Sequence, residues 1–215
     1  RDRGITILKH NYDETDFKGA LQIAFEHDNT LLIEKFIPGR EFRIFIINDE
    51  VVGILHRVPA NVTGDGVLNI GQLIDRKNED PLRGKGYRTP LEKIRKGREE
   101  EMFLKQQGMD FNTVPKEGEV VYLRENSNIS TGGDSIDFTD DIDDSYKAIA
   151  VEAAKALNVK ITGLDMMIQD IHAPATPDNY AIIEMNFNPA IHIHCYPFKG
   201  KNRHLNHKMI RALGF

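Results

Sequence analysis

Three oxygen-bearing side chains, Asp165, Glu184 and Asn186, lie where two strand-like stretches can bring them together. Leu164–Gln169 and Tyr180–Asn186 read as strands, and Pro174, Pro177, Asp178 and Asn179 between them supply turn chemistry. If this hairpin folds about Ala175, Asp165 comes level with the Glu184–Asn186 end. Residues two apart on a strand share a face, so Glu184 and Asn186 point the same way and Asp165 joins them from the neighbouring strand. Hard oxygen ligands of this kind suit magnesium, which takes one or two carboxylates and completes its shell with water and phosphate oxygens. The rival reading is two unrelated surface carboxylates and a strand-end Asn. The flanking Leu164, Met166, Ile182 and Ile183 favour the metal, because they put the acids on core-facing strands where an unpartnered charge is costly.

The elements that must position this hairpin are legible in outline. Gly4–Lys9 reads as a strand. A helix follows in DETDFKGALQIAFEHD, with Thr15 or Asp16 as N-cap and Phe17, Ala20, Leu21, Ala24 and Phe25 on a buried face. Leu31–Ile37 reads as a strand broken by Pro38-Gly39, and Glu41–Asn48 with Val51–Val58 as a hairpin. Asn69–Lys77 and Leu91–Gln107 read as helices, the second so rich in alternating charge that it is expected to be a solvated face without a site. Gly118–Arg124 reads as a strand. Asp143–Asn158 is a helix with a stripe from Tyr146 to Leu157 and a left-handed turn at Asn158, and Leu205–Leu213 is a short amphipathic helix.

Composition bounds the function. Hydrophobic residues at 40% and charged residues at 28% fit a globular chain with a real core, and a net charge of −5 gives a nucleic-acid partner no general support. No apolar run has the length of a membrane span, so no membrane partner is expected. Cys195 stands alone, which rules out a disulfide framework and fits a reducing cytoplasm. Its neighbours His192 and His194 invite a metal or nucleophile reading, but a lone Cys in such company is more often a packed small hydrophobe.

Two further stretches carry polar groups in suggestive places. Glu34-Lys35-Phe36-Ile37 ends a strand before the Pro-Gly turn, with Glu41 beyond it; such a connector can offer backbone groups to an adenine edge and a carboxylate to ribose hydroxyls, though EKFIPG is equally a good strand end. Arg124 precedes a loop with Asn128, Ser130, Thr131, Gly132 and Gly133. Paired glycines let backbone amides approach an anion, and a guanidinium fork suits phosphate or carboxylate. Arg43, His56 and Arg57 interrupt the apolar hairpin and are read as solvent-facing, paired or part of a site.

Taken together, EKFIPGREFR, YLRENSNISTGG, GLDMMI and IIEMNFNP resemble an ATP-grasp carboxylate–amine ligase. The ending NPAIHIHCYPFKGKNRHLNHKMIRALGF is similar to the C-terminal ATP-grasp domain of the bifunctional γ-glutamylcysteine synthetase/glutathione synthetase family, and the likeness covers essentially the whole chain. It implies an α+β ATP-grasp fold, with residues 1–36 as part of the smaller lid and 37–215 as the larger lobe. It implies ATP and two magnesium ions, with manganese as the alternative, and the substrates γ-glutamylcysteine and glycine, joined through an acyl phosphate. By motif, Glu34, Lys35, Phe36 and Ile37 line the adenine and Glu41 holds the ribose. Asp165, Glu184 and Asn186 hold the metal, Arg43 and Arg124 stabilise the moving phosphoryl, and Asn128, Gly132 and Gly133 seat the acyl substrate.

The resemblance also implies an upstream γ-glutamylcysteine synthetase domain in the parent chain, a cytoplasmic setting, and allows a homodimer. One departure is the opening RDRG, which looks like the remainder of a glycine-rich lid loop, without the family's preceding strand and its lysine. The expectation is a piece of a longer protein whose larger lobe folds alone without ligating. Cyanophycin synthetase shares the same motifs, and a nucleotide- and magnesium-binding module without turnover is the rival from another class. If Glu34 accepts a hydrogen bond from the adenine amine, Glu34→Gln should narrow the preference for ATP over GTP by roughly 1.5–3 kcal/mol. An unchanged ATP-to-GTP ratio in a competition assay would show that backbone groups alone read the base.

Overall fold

The computed structural model describes residues 13–215 except Phe36 and Tyr87. The chain divides into two compact units, Arg1–Pro38 and Gly39–Phe215. In the first unit, helix α1 spans Glu14–Phe25. Its N-cap is Asp13 rather than Thr15 or Asp16: the Asp13 carboxylate accepts from the amides of Thr15 and Asp16 at 2.7 and 2.9 Å, and Asp16 returns a bond to the Asp13 amide. An acid with two amides in reach outcompetes a threonine for the cap. The expected buried stripe is only half buried, and Phe25 is exposed. Leu31–Ile37 is not a strand among its described residues, and Leu32 and Ile33 are exposed. Apolar β-formers make a strand only when a ladder partner takes their backbone groups. The expected strand Gly4–Lys9 lies outside the described residues.

The second unit carries β1 (Arg40–Ile47), β2 (Glu50–Val58), β3 (Asn61–Thr63), α2 (Ile70–Lys77), β4 (Arg83–Gly84), β5 (Leu91–Glu92), α3 (Arg98–Gln106), β6 (Val120–Tyr122), a 3-10 turn at Ile129–Thr131, β7 (Asp134–Asp137), α4 (Asp144–Ala156), β8 (Ile161–Ile168), β9 (Tyr180–Asn186), α5 (His192–Cys195) and α6 (Leu205–Ala212). Five strands form one antiparallel sheet in the order β7-β2-β1-β8-β9. The β1–β2 turn is tight because Asn48 and Asp49 both accept positive φ, 47° and 65°, the geometry that matches strand twist. Where one helix was expected over Leu91–Gln107, Leu91–Glu92 is strand and the helix starts only after Gly97. Leu91 is buried, Ile94 joins a local core, and Glu100 closes the Gly97 amide at 2.9 Å.

Alternation along the central strands separates two faces. Phe42, Ile44, Ile46, Leu164, Met166 and Ile168 point one way and bury against Tyr146, Ala150 and Ala154 of α4. Each such side chain contributes about 1.5–3 kcal/mol on burial. On the opposite face, Phe45 and Ile47 pack with Val52, Cys195 and Leu205 beneath α5 and α6, while Glu41 and Arg43 occupy the other end. Cys195 is therefore buried packing, as expected for a small hydrophobe. A satellite core under β3 and β6 holds Ala60, Val62, Leu73, Leu104 and Leu123.

His194 is fully buried against Phe45, and among the described residues neither ring nitrogen has a hydrogen-bond partner. Burial, reinforced by the positive charge of Arg43, pushes its pKa down to about 3. The folded chain thus refuses a proton that the unfolded chain takes up below pH 6.5, so stability is lost as pH falls through that value. The loss is about 1.4 kcal/mol per pH unit until pH approaches the folded value. In His194→Leu, the drop in unfolding free energy between pH 7 and pH 5 should shrink by about 2 kcal/mol. Urea titrations at the two pH values measure it.

Candidate active site

Strand register builds the site. Arg43 on β1 sits directly opposite Asp165 on β8, and Asp165 sits opposite Glu184 on β9. On the other flank Phe42 pairs with His56, which places Arg57 of β2 level with Glu41. One face of the sheet therefore carries a row of charged side chains across four strands, basic on β2, mixed on β1 and acidic on β8 and β9. Arg43 grips Asp165 with two nitrogens, Nε on Oδ1 and Nη2 on Oδ2 at 2.7 Å. Arg57 adds a third bond to Asp165 Oδ2 at 3.1 Å and forms an ion pair with Glu41, whose Oε2 accepts from Ser127 Oγ at 2.9 Å. Asp165 is 2% exposed and Arg43 8%. Two carboxylates against two guanidiniums leave this buried group neutral, the condition under which charge is tolerated there.

Local sequence makes the geometry possible. A side chain at Gly163 would meet Pro189 Cβ at 2.8 Å and Arg43 Cδ at 3.0 Å, so its absence lets Arg43 lie across β8. At the outer strand, Asn186 Nδ2 donates to Glu184 Oε1 at 3.0 Å, the same-face pairing expected of residues two apart. Glu184 is exposed while Asp165 is buried. The structure thus brings Glu184 and Asn186 together and places Asp165 across the ladder, but both Asp165 oxygens are engaged by arginine. The donor set still fits magnesium, since two carboxylates and the free Asn186 amide oxygen are hard ligands. Among the described residues, no three His, Cys, Asp or Glu side chains cluster as a metal site.

A cavity of about 170 Å³ opens beside the row, lined by Arg43, Arg57, Pro90, Asn128, Ser130 and His192 among others. A wider groove of about 690 Å³ runs past Asp75, Lys93, Arg95 and Lys96. None of its charged lining residues is buried, so the smaller cavity is the one onto which buried charge converges.

The other predicted residues fall out differently. Asn128 lines the cavity, but the amides of Gly132 and Gly133 are turned inward. They donate to the carbonyls of Ile129 and Asn128 at 3.1 and 3.2 Å, so they do not form an anion cradle. The glycines instead permit close packing: a side chain at Gly132 would meet Ile94 Cα at 2.8 Å, and at Gly133 the Val58 carbonyl at 2.8 Å. Arg124 does not line the cavity. Its Nε and Nη2 both lie 2.6 Å from Glu100 Oε1, and its Nη1 pairs with Glu99. The charged helix expected to be wholly solvated thus buries Glu100 at 1% exposure. Glu41, expected at a ribose, is tied to Arg57 and Ser127. Glu34 and Lys35 are exposed in the first unit, and Phe36 lies outside the described residues. Arg57 was visible in the sequence only as a polar insertion; its place opposite Glu41 follows from a hairpin register that turn chemistry could have supplied.

The antiparallel sheet with α4 on one face and the charged row beside its cavity on the other is the α+β, ATP-grasp type of ligase fold that the motifs resemble. Over 212 residues the chain is 62% identical to the glutathione biosynthesis bifunctional protein of Desulfotalea psychrophila, and over 210 residues 57% identical to that of Clostridium perfringens. These matches cover 99% and 98% of this chain, and the chain spans about 27% of the length of either relative. The crystal structure of a bifunctional glutathione synthetase from Pasteurella multocida superposes with a TM-score of 0.81 at 45% identity, covering 98% of this chain and 29% of that one. No family model matches the chain. The chain thus corresponds to one segment of the bifunctional glutathione biosynthesis proteins, and the resemblance read from its motifs holds. Among the described residues no helix is long and apolar enough to cross a membrane.

With Arg124 clasped by a buried carboxylate, Arg124→Ala should act on stability first. It strands Glu100 and should cost about 3 kcal/mol or more in unfolding free energy. A denaturant midpoint equal to the unsubstituted protein's would show that the pair carries no structural weight.

Proposed function

We propose that this chain is the ligating domain that joins γ-glutamylcysteine to glycine at the expense of ATP. The carrying observation is the buried Arg43–Asp165–Arg57 group beside the cavity, in a chain 62% identical to a glutathione biosynthesis protein. In this reading the substrate carboxylate attacks the terminal phosphorus of ATP, ADP leaves, and an acyl phosphate forms. The amine of glycine then attacks the acyl carbon, phosphate departs, and the nitrogen loses a proton.

Each role is assigned to a group whose chemistry suits it. Arg43 and Arg57 stabilise charge on the moving phosphoryl, and their carboxylate partners fix the two planar forks in place beforehand. Asn128 orients the acyl substrate at the opposite wall. Asp165, Glu184 and Asn186 are the residues to hold magnesium, which would neutralise phosphate charge when bound. For the nucleotide the support is the resemblance alone: Glu34, Lys35, Phe36 and Ile37 at the adenine, Glu41 at the ribose. The same reading includes a γ-glutamylcysteine synthetase domain elsewhere in the polypeptide and a reducing cytoplasmic setting.

The decisive assay supplies the protein as it occurs with γ-glutamylcysteine, glycine, ATP and magnesium, and follows phosphate and glutathione. Equal release of both is expected. Turnover only with aspartate or arginine would identify a cyanophycin-type ligase, and nucleotide binding without phosphate release a non-catalytic module. Asp165→Asn should lower kcat on the order of 10²-fold and raise the magnesium requirement. Glu184→Gln should shift the magnesium titration in the same direction. A magnesium dependence unmoved in both variants would remove these residues from the metal site.

A further inference from the structure

Besides the arginines, the cavity is lined by two segments that secondary structure hardly secures. One contains Pro90 and Glu92, the other Asn128, Ile129 and Ser130. The strands β4 and β5 beneath the first segment are two residues long and pair only with each other. Their ladder offers Leu91 N to Leu82 O and Lys93 N to Gly84 O, both at 2.9 Å. Two such bonds do not hold a rigid edge against solvent.

Side-chain bonds pin each segment locally, Asn78 to Ile94 in the first and Thr131 to Asn126 in the second, and one buried guanidinium bonds to the backbone beside both. The Arg83 side chain is 0% exposed. Its Nη1 donates to the Glu92 carbonyl at 2.8 Å and to the Gly132 carbonyl at 3.0 Å, while Nη2 pairs with Asp134. Three stretches of chain therefore meet on one planar fork. Gly132 seats against Ile94 so closely that no side chain would fit between them, which locks the two segments edge to edge. Asp134 also accepts from Lys77 Nζ at 2.7 Å and Asn61 Nδ2 at 3.0 Å, and Phe198 lies under both cations at 5.2 and 5.4 Å. Among the described residues Nε finds no partner, so the Arg83 side chain is held by Nη1 on the wall backbone and Nη2 on Asp134.

We propose that Arg83 is a positioning residue that sets the wall seating the acyl substrate. The proposal deepens the ligase reading and rests on it. Arg83 touches no reacting atom; it fixes the separation between the Asn128–Ser130 wall and the phosphoryl-facing arginines. Displacing a wall by an ångström weakens the substrate that leans on it.

Arg83→Lys keeps a charge for Asp134 but loses the fork that reaches two carbonyls. Lys77→Met is its control: Lys77 bonds Asp134 and Asn61 and neither wall carbonyl. In the protein as it occurs, Arg83→Lys should raise KM for γ-glutamylcysteine on the order of 10-fold with KM for ATP within about twofold. Lys77→Met should lower the denaturant midpoint without that split. Amide exchange supplies a readout free of turnover: residues 91–93 and 128–133 should exchange faster in Arg83→Lys, with α4 unchanged, and should not in Lys77→Met. Equal KM shifts in both variants, or a loss of stability alone in Arg83→Lys, would reduce Arg83 to a structural ion pair and overturn the proposal. Unaltered exchange across the wall would overturn it as well. Failure of the ligase reading shows separately, as absence of glutathione from the unsubstituted protein while the exchange experiment still decides the role of Arg83.

Discussion

The Arg43–Asp165 pair is the constraint on which the second unit depends. It joins the two central strands, β1 and β8, at a position with almost no solvent access. Removing either charge would leave the other desolvated and uncompensated, so the pair is far stricter than an exposed ion pair of the same geometry. It dictates its surroundings. Gly163 must lack a side chain, Arg57 must share the carboxylate, and Glu41 must neutralise Arg57. The register of three strands is thereby written in charge as well as in hydrophobic alternation.

The sheet divides the work between its faces. One face meets α4 and supplies the main core. The other begins as core under α5 and α6 and ends as the charged row. Since successive residues alternate, Arg43 reaches the site face only because Phe42 and Ile44 on either side anchor the opposite one. Side chains set on such strands are held far more precisely than side chains on loops. The loops that complete the cavity lack this support and obtain it from a second buried ionic knot, Arg83 with Asp134 and Lys77. Two charge groups thus hold the two walls, the first neutral and the second two cations sharing one carboxylate, and each is bonded to the backbone or side chains it fixes.

The same logic explains what was hard to read along the chain. The run from Leu91 to Gln107 has helical composition, yet helix begins only after Gly97 because Leu91 is buried in a short strand and Ile94 in the satellite core. In its first turn Glu100 looks like any solvated acid, but it caps Gly97 and clasps Arg124 from across the fold. Arg124 and the glycines after it have the composition of an anion site, and the structure gives them packing partners instead. Residue type states what a side chain can bind, whereas partners distant in sequence decide what it does bind.

Period-two alternation, the Asn48-Asp49 turn and the Asp143 cap are local signals, and they determined the β1–β2 hairpin, α4, and the β8–β9 hairpin that brings Glu184 beside Asn186. The four motifs likewise carried the family, because together they leave few alternatives. Tertiary structure alone decided that Asp165 would be gripped by Arg43 and Arg57, residues 122 and 108 positions away. It alone assigned Arg124 to Glu100 and Arg83 to the cavity wall. Backbone preferences and turns are settled within a few residues, so one sequence window contains them. A buried charge is settled by whichever opposite charge the fold delivers, and that depends on strand order and on which segments pack together, neither of which a single window holds.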